Sequence, residues 1–113
     1  MTIAALCLAA TMGARSYAQG TGRTIEIHAH RFAFEPAEIT LRKGETVQLR
    51  LVSDDVPHSL LIGDLGINEA ASKGHPGEAI LTAKKAGDFH GRCGRFCGSG
   101  HGRMQFTVHV IGN

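Results

Sequence analysis

Apolar and polar residues alternate along most of this chain, which is the mark of half-buried strands. Between Thr24 and Ala29, Ile25 and Ile27 share one face and Glu26 and His28 the other. From Thr46 to Val52 the inward set is Val47, Leu49 and Leu51. From Gln105 to Ile111 it is Phe106, Val108 and Val110. Shorter β-type runs cover Glu38 to Leu41, Ser59 to Ile62, Glu78 to Thr82 and Gly87 to His90. Phe32 to Pro36 reads as a strand end entering a turn, and Arg42-Lys43-Gly44-Glu45 as a second turn. Residues 63–77 are rich in Gly, Asn, Asp and Pro and predict a long connection, with Asn68 to Lys73 as a candidate helical turn. The expectation is an all-β, Greek-key antiparallel sandwich or barrel of about seven short strands.

The N-terminal stretch breaks this pattern. Ile3 to Met12 is an apolar run of export-signal length, and Ser16-Tyr17-Ala18 offers a small-x-small cleavage pattern. Residues 1–18 are therefore expected to be a signal peptide, too short to span a membrane as a helix. Residues 19–113 are expected to form a single exported, periplasmic-type domain, since 113 residues make one domain's worth of chain. The formal charge is +2 with no Lys/Arg block, which argues against nucleic-acid binding. No phosphate-cradling glycine loop and no nucleophile elbow occurs. Loss of the signal would remove Cys7 and leave two cysteines, Cys93 and Cys97.

Those two fall in the one segment that carries chemistry: Cys93-Gly94-Arg95-Phe96-Cys97-Gly98-Ser99-Gly100-His101-Gly102-Arg103-Met104. Two thiols, an imidazole and a thioether form a soft donor set that suits copper in both oxidation states. The glycines allow the loop to fold back so that residues four apart converge. One more ligand is expected from a distant loop, and His58, after Asp55-Val56-Pro57, is the candidate. The residues alone leave other readings open: a Cys93–Cys97 disulfide, a Cys2His2 zinc site with His58 and His101, or a single-copper site that uses one cysteine.

The spacing Cys-x3-Cys-x3-His-x2-Met, met by Cys93, Cys97, His101 and Met104 with His58 upstream, resembles the dinuclear copper-A domain of cytochrome c oxidase subunit II and the related domain of nitrous oxide reductase. Asp55-Val56-Pro57-His58-Ser59, His75-Pro76-Gly77-Glu78, Ala86-Gly87-Asp88-Phe89 and Phe34-Glu35-Pro36 with Lys43-Gly44-Glu45 extend the resemblance over about residues 24–111. It implies a cupredoxin-like fold and two copper ions. In that family's arrangement Cys93 and Cys97 would bridge the coppers, and His58 and His101 would bind one each. Met104 would be the weak axial ligand of one copper, and the backbone carbonyl of Arg95 that of the other. Sharing one electron over two metals keeps bond changes small, so the implied role is electron transfer rather than catalysis by this chain alone.

Two departures stand beside the resemblance. Arg95 occupies a position where many members carry Glu, and a cation there should favour the reduced state. The chain also lacks the two N-terminal membrane helices and the tryptophan-rich segment of subunit II; Phe32 and Phe34 stand in the nearest region. The expected partners are cytochrome c or a similar small donor, and a membrane haem–copper oxidase or other reductase. A detached oxidase subunit and a periplasmic copper chaperone or storage protein are the rival roles. Of the remaining groups, His28 and His30 share a strand face, open to solvent or to a second metal. His75 reads as a solvated turn residue, His109 as an outward strand residue, and His90 as a surface residue or a neighbour of the ligands. Asp54 and Asp55 read as a turn that supports the ligand loop.

Overall fold

The computed structural model describes residues 22–95 and 101–112. The predicted signal segment, Phe96 and Cys97 lie outside the described residues, as does the side chain of His101. Nine strands are present among the described residues. They are β1 (Thr24–His30), β2 (Ala33–Glu35), β3 (Glu38–Arg42), β4 (Thr46–Ser53), β5 (His58–Ile62), β6 (Ile67–Ala71), β7 (Gly77–Thr82), β8 (Gly87–Cys93) and β9 (Gln105–Ile111). Single 3-10 turns occur at Gly63–Leu65 and His101–Arg103.

The strands form two sheets. One has the order β3-β9-β8-β5-β6 and the other β2-β1-β4-β7. Alternation decided which face of each strand is buried: Val47, Leu49 and Leu51 of β4 and Phe106, Val108 and Val110 of β9 are at most 4% exposed. The two apolar faces meet edge to face at Phe34 and Phe106, whose ring centroids are 6.0 Å apart at 74°. This is the favoured geometry for two aromatic quadrupoles.

Two expectations are corrected. The region 63–77 is not a bare connection, and Asn68 to Lys73 is not a helical turn. Ile67–Ala71 is a strand paired antiparallel with β5, from His58↔Ala71 to Ile62↔Ile67. Ile67 and Ala71 are buried while Asn68 and Ala70 are exposed, so the period there is two, but a single buried residue at each end hides it in the sequence. The pairing is also mixed rather than wholly antiparallel: β1 runs parallel to β4, and β3 parallel to β9. Parallel pairing needs crossovers between distant segments, and local pattern does not reveal them.

One end of the sandwich gathers the functional residues. There β4 finishes at Ser53, β5 starts at His58, and β8 finishes at Cys93. No helix among the described residues is long and apolar enough to cross a membrane.

Candidate metal centre

His58 opens β5, and Cys93 closes β8. Leu60 is in register with Cys93, so both project from the same face of the sheet. His58 lies two residues from Leu60 and therefore shares that inward face. Met104 is brought alongside by the Cys93 amide, which donates to the Met104 carbonyl at 3.2 Å. His58, Cys93 and Met104 thus stand at the same end of adjoining segments, and all three are 0% exposed.

The loop between β4 and β5 sets the orientation of His58. Its Nε2 lies 2.7 Å from Oδ1 of Asp55. The same carboxylate accepts the Arg31 amide at 2.9 Å and the Val56 amide at 2.6 Å. Partial burial opposes ionisation of Asp55, but the hydrogen bonds from Arg31, His58 and Val56 prevail and lower its pKa to about 2. An ionised carboxylate can only accept, so Nε2 of His58 carries a proton, and in the neutral ring Nδ1 holds the lone pair. Nδ1 is buried and has no hydrogen-bond partner among the described residues. A buried imidazole nitrogen without a partner is costly unless something binds it.

The loop that follows Cys93 is anchored as well. The Cys93 thiol donates to the Arg95 carbonyl at 3.1 Å, so this carbonyl lies on the sulfur's side of the backbone. The Gly94 amide reaches the Oγ of Ser59 at 3.0 Å and its carbonyl at 3.3 Å. Glycine is required at that close approach: a Cβ on Gly94 would stand 2.9 Å from Ser59 Oγ and 3.1 Å from Leu61 Cβ. Arg103, just before Met104, places its guanidinium carbon 5.8 Å from the ring centroid of Phe32. A shallow depression lined by Pro57, Ala70, Ala71, Ser72, His75 and Arg95 opens beside the His58 loop.

Of the predicted ligands, Cys93 contacts the Arg95 carbonyl by its thiol and Met104 by its backbone, and His58 lies on the neighbouring strand two residues from Leu60, the residue in register with Cys93. Cys97 and the His101 side chain lie outside the described residues. No three His, Cys, Asp or Glu side chains converge as a metal cluster among the described residues. The donors that are described fit copper on chemistry: a thiol, a thioether and an imidazole lone pair in one buried place. Asp55 takes the supporting role expected of it. Ser59 and the Arg103–Phe32 contact were missed by sequence reasoning. Ser59 lies beside a predicted ligand, which was the available signal; nothing in the sequence pairs Arg103 with Phe32.

The remaining histidines have other occupations. His28 is held between Asp54 at 3.0 Å and Glu26 at 3.1 Å, so it is ion-paired rather than simply solvated. His109 bridges Glu38 at 2.7 Å and Asp88 at 2.8 Å. His90 contacts Thr107 Oγ1 at 3.3 Å on the exposed outer face.

Comparison with known proteins agrees with this geometry. A family model described as Cupredoxin-like domain matches residues 2–105. A Streptomyces coelicolor protein named as a probable cytochrome c oxidase subunit 2 is 38% identical over 71 residues, covering 63% of this chain and 22% of that one. The chain therefore spans under a quarter of that relative's length. A chain in the structure of a heme-copper terminal oxidase dimer superposes with a TM-score of 0.72 at 29% identity, covering 79% of this chain and 65% of the other. The periplasmic domain of subunit II of cytochrome oxidase (CoxB) of Bradyrhizobium japonicum shares the fold, with a TM-score of 0.76 at 17% identity over 84% of this chain and 88% of that one. The two-sheet sandwich expected from the sequence is the fold found.

Proposed function

The chain belongs to the cupredoxin-like domain family, and on that premise we propose that it is an exported electron-transfer module with a dinuclear copper centre of the copper-A type. His58, Cys93, Cys97, His101 and Met104 would hold the metal by side chains, and Arg95 by its backbone carbonyl. The observation that carries this reading is the buried Nδ1 of His58, left without a partner while Asp55 occupies Nε2. A histidine whose second nitrogen is fixed by a carboxylate is the usual form of a metal-ligating histidine.

Copper supplies reversible one-electron redox chemistry when bound. The chain's own residues prepare for it. Asp55 fixes the tautomer and the ring plane of His58. The Gly94–Ser59 hydrogen bonds hold the strand that carries Cys93. Burial of His58, Cys93 and Met104 keeps water from the donors, so ligand positions change little and the electrostatic surround stays dry. Similarity to oxidase subunit II supports a membrane haem–copper oxidase as the electron acceptor and a small soluble carrier as the donor. The same similarity supports export; in this reading residues 1–18 would be the signal and residues 19–113 the working domain.

The test is electron paramagnetic resonance with a copper count on the copper-reconstituted protein. Two coppers per chain with the unpaired spin shared by both nuclei is the expected result. A spin confined to one copper, or preferential zinc binding, would overturn the dinuclear reading. Quantitative handover of copper(I) to an apo-acceptor, without reversible redox cycling, would favour the copper-delivery role instead.

A further inference from the structure

The rim of the candidate centre carries several exposed cations, while Asp54 and Asp55 at the same end are held by His28 and His58. Arg95 is exposed on the rim of the depression beside Pro57 and His75. Arg103 is exposed and stands over Phe32. Lys73 is exposed and bridges to Ser53, where β4 ends. Arg31 is exposed at the same end, since its amide binds Asp55.

Most of the acids are paired with groups other than Lys73, Arg95 and Arg103; Asp64 and Glu69 are in no ion pair among the described residues, and Glu69 of β6 lies in register with Leu60. All ten Asp and Glu residues lie between Glu26 and Asp88, within the described residues. Eight of them are within ion-pair distance of Arg or His: Glu45 of Arg23, Glu26 and Asp54 of His28, Glu35 of His30, Glu78 of Arg50, Asp55 of His58, and Glu38 and Asp88 of His109. Asp55, the acid nearest the centre, is turned inward onto His58 and two amides. Lys73, Arg95 and Arg103 are in none of these pairs.

We propose that this rim is a docking face for a protein electron carrier with an acidic surface. The proposal rests on the electron-transfer reading above and specifies its partner. Exposed like charges within a Debye length of about 8 Å act together on an approaching molecule, and such steering raises association rates by roughly 10 to 10³. A basic carrier would be repelled by the same field. The exposed Pro57 and Ala70 in the shallow depression next to Arg95 give apolar contact inside the cationic rim, the arrangement of a transient interface. One electron leaves the carrier's metal and one enters the copper centre; no bond or proton is exchanged.

Two redox-inert paramagnetic ions test the face without relying on copper. The full-length, isotope-labelled chain is titrated with hexacyanochromate(III) and, separately, with hexaamminechromium(III). The anion should broaden the amides around Lys73, Arg95 and Arg103, and the cation should not. The other end of the sandwich, where Arg42, Lys43, Lys84 and Lys85 are exposed, serves as an internal reference. The double variant Arg95→Glu/Arg103→Glu, or Arg95→Gln/Arg103→Gln if the first misfolds, should lose the broadening at the copper end and keep it at Lys84 and Lys85. Broadening by the cation at the copper end, or by the anion at the Lys84–Lys85 end alone, overturns the proposal.

The partner class is read with an acidic soluble cytochrome and a basic mitochondrial cytochrome c. The acidic one should bind at the rim, about tenfold more weakly when salt is raised from roughly 20 to 200 mM. Tighter binding of the basic protein, or binding of phosphatidylserine vesicles with no response to the acidic cytochrome, overturns the proposal. Failure of the two-copper resonance signal would instead strike the electron-transfer reading and leave the ion map as measured.

Discussion

The carboxylate of Asp55 holds Nε2 of His58 at 2.7 Å, and so leaves the buried Nδ1 as that ring's available donor. A carboxylate three residues earlier in the chain thereby decides which ring nitrogen is left without a partner. Replacing Asp55 by Asn keeps the shape but removes the obligatory acceptor, so the ring can adopt the other tautomer. Copper affinity should fall by about 10 to 100-fold. Competition with a copper chelator measures it; unchanged affinity would show that the strand alone orients His58.

Arg95 sits two residues after Cys93 with its carbonyl at the sulfur and its side chain exposed. Arg95→Glu changes the local charge by two. At about 8 Å through water that is worth about 1 kcal/mol, or ~45 mV for one electron. The added anion stabilises the more positive, oxidised state, so the variant's potential should be lower. Protein-film voltammetry would reveal the order, and a rise would contradict the argument.

Gly94→Ala forces a Cβ against Ser59 Oγ and Leu61 Cβ. The strand ends that carry His58 and Cys93 must then separate, at a cost of about 1–3 kcal/mol. Gly63→Ala meets nothing within 4 Å and should be near neutral. Chemical denaturation of the two variants side by side tests the contrast.

His109 has its pKa raised by the hydrogen bonds its ring donates to Glu38 and Asp88, on the strands either side of its own. Its folded value lies above the unfolded one of about 6.5. The stabilisation is therefore complete below that pH and is lost as pH rises through the folded value. Wild-type chain should lose more stability between pH 6 and 8.5, as a rough window, than His109→Gln does. Denaturation midpoints across that range check this, and a parallel loss in both proteins would refute it.

The strand faces were legible because burial repeats every second residue: Val47, Leu49 and Leu51 read the same in the sequence as in the folded sheet. The ligand candidates were legible because Cys, His and Met at fixed spacing are rare and chemically matched. Strand Ile67–Ala71 was not, since its two buried residues are separated by Asn68, Glu69 and Ala70 and its pairing with β5 supplies the order. The role of Ser59 was hidden for a related reason, because its partner, Gly94, lies 35 residues away.

By itself, the sequence determined that this is an all-β chain, with His58 and the Cys93–Met104 segment as its candidate metal donors, since side-chain chemistry and period are local properties. Tertiary structure alone decided that β1 pairs parallel with β4, that Asp55 consumes Nε2 rather than Nδ1 of His58, and that eight of the ten acids pair with groups other than Lys73, Arg95 and Arg103. Those outcomes depend on distances between segments far apart in the chain, which only the packed sheets bring within hydrogen-bond or Coulomb range.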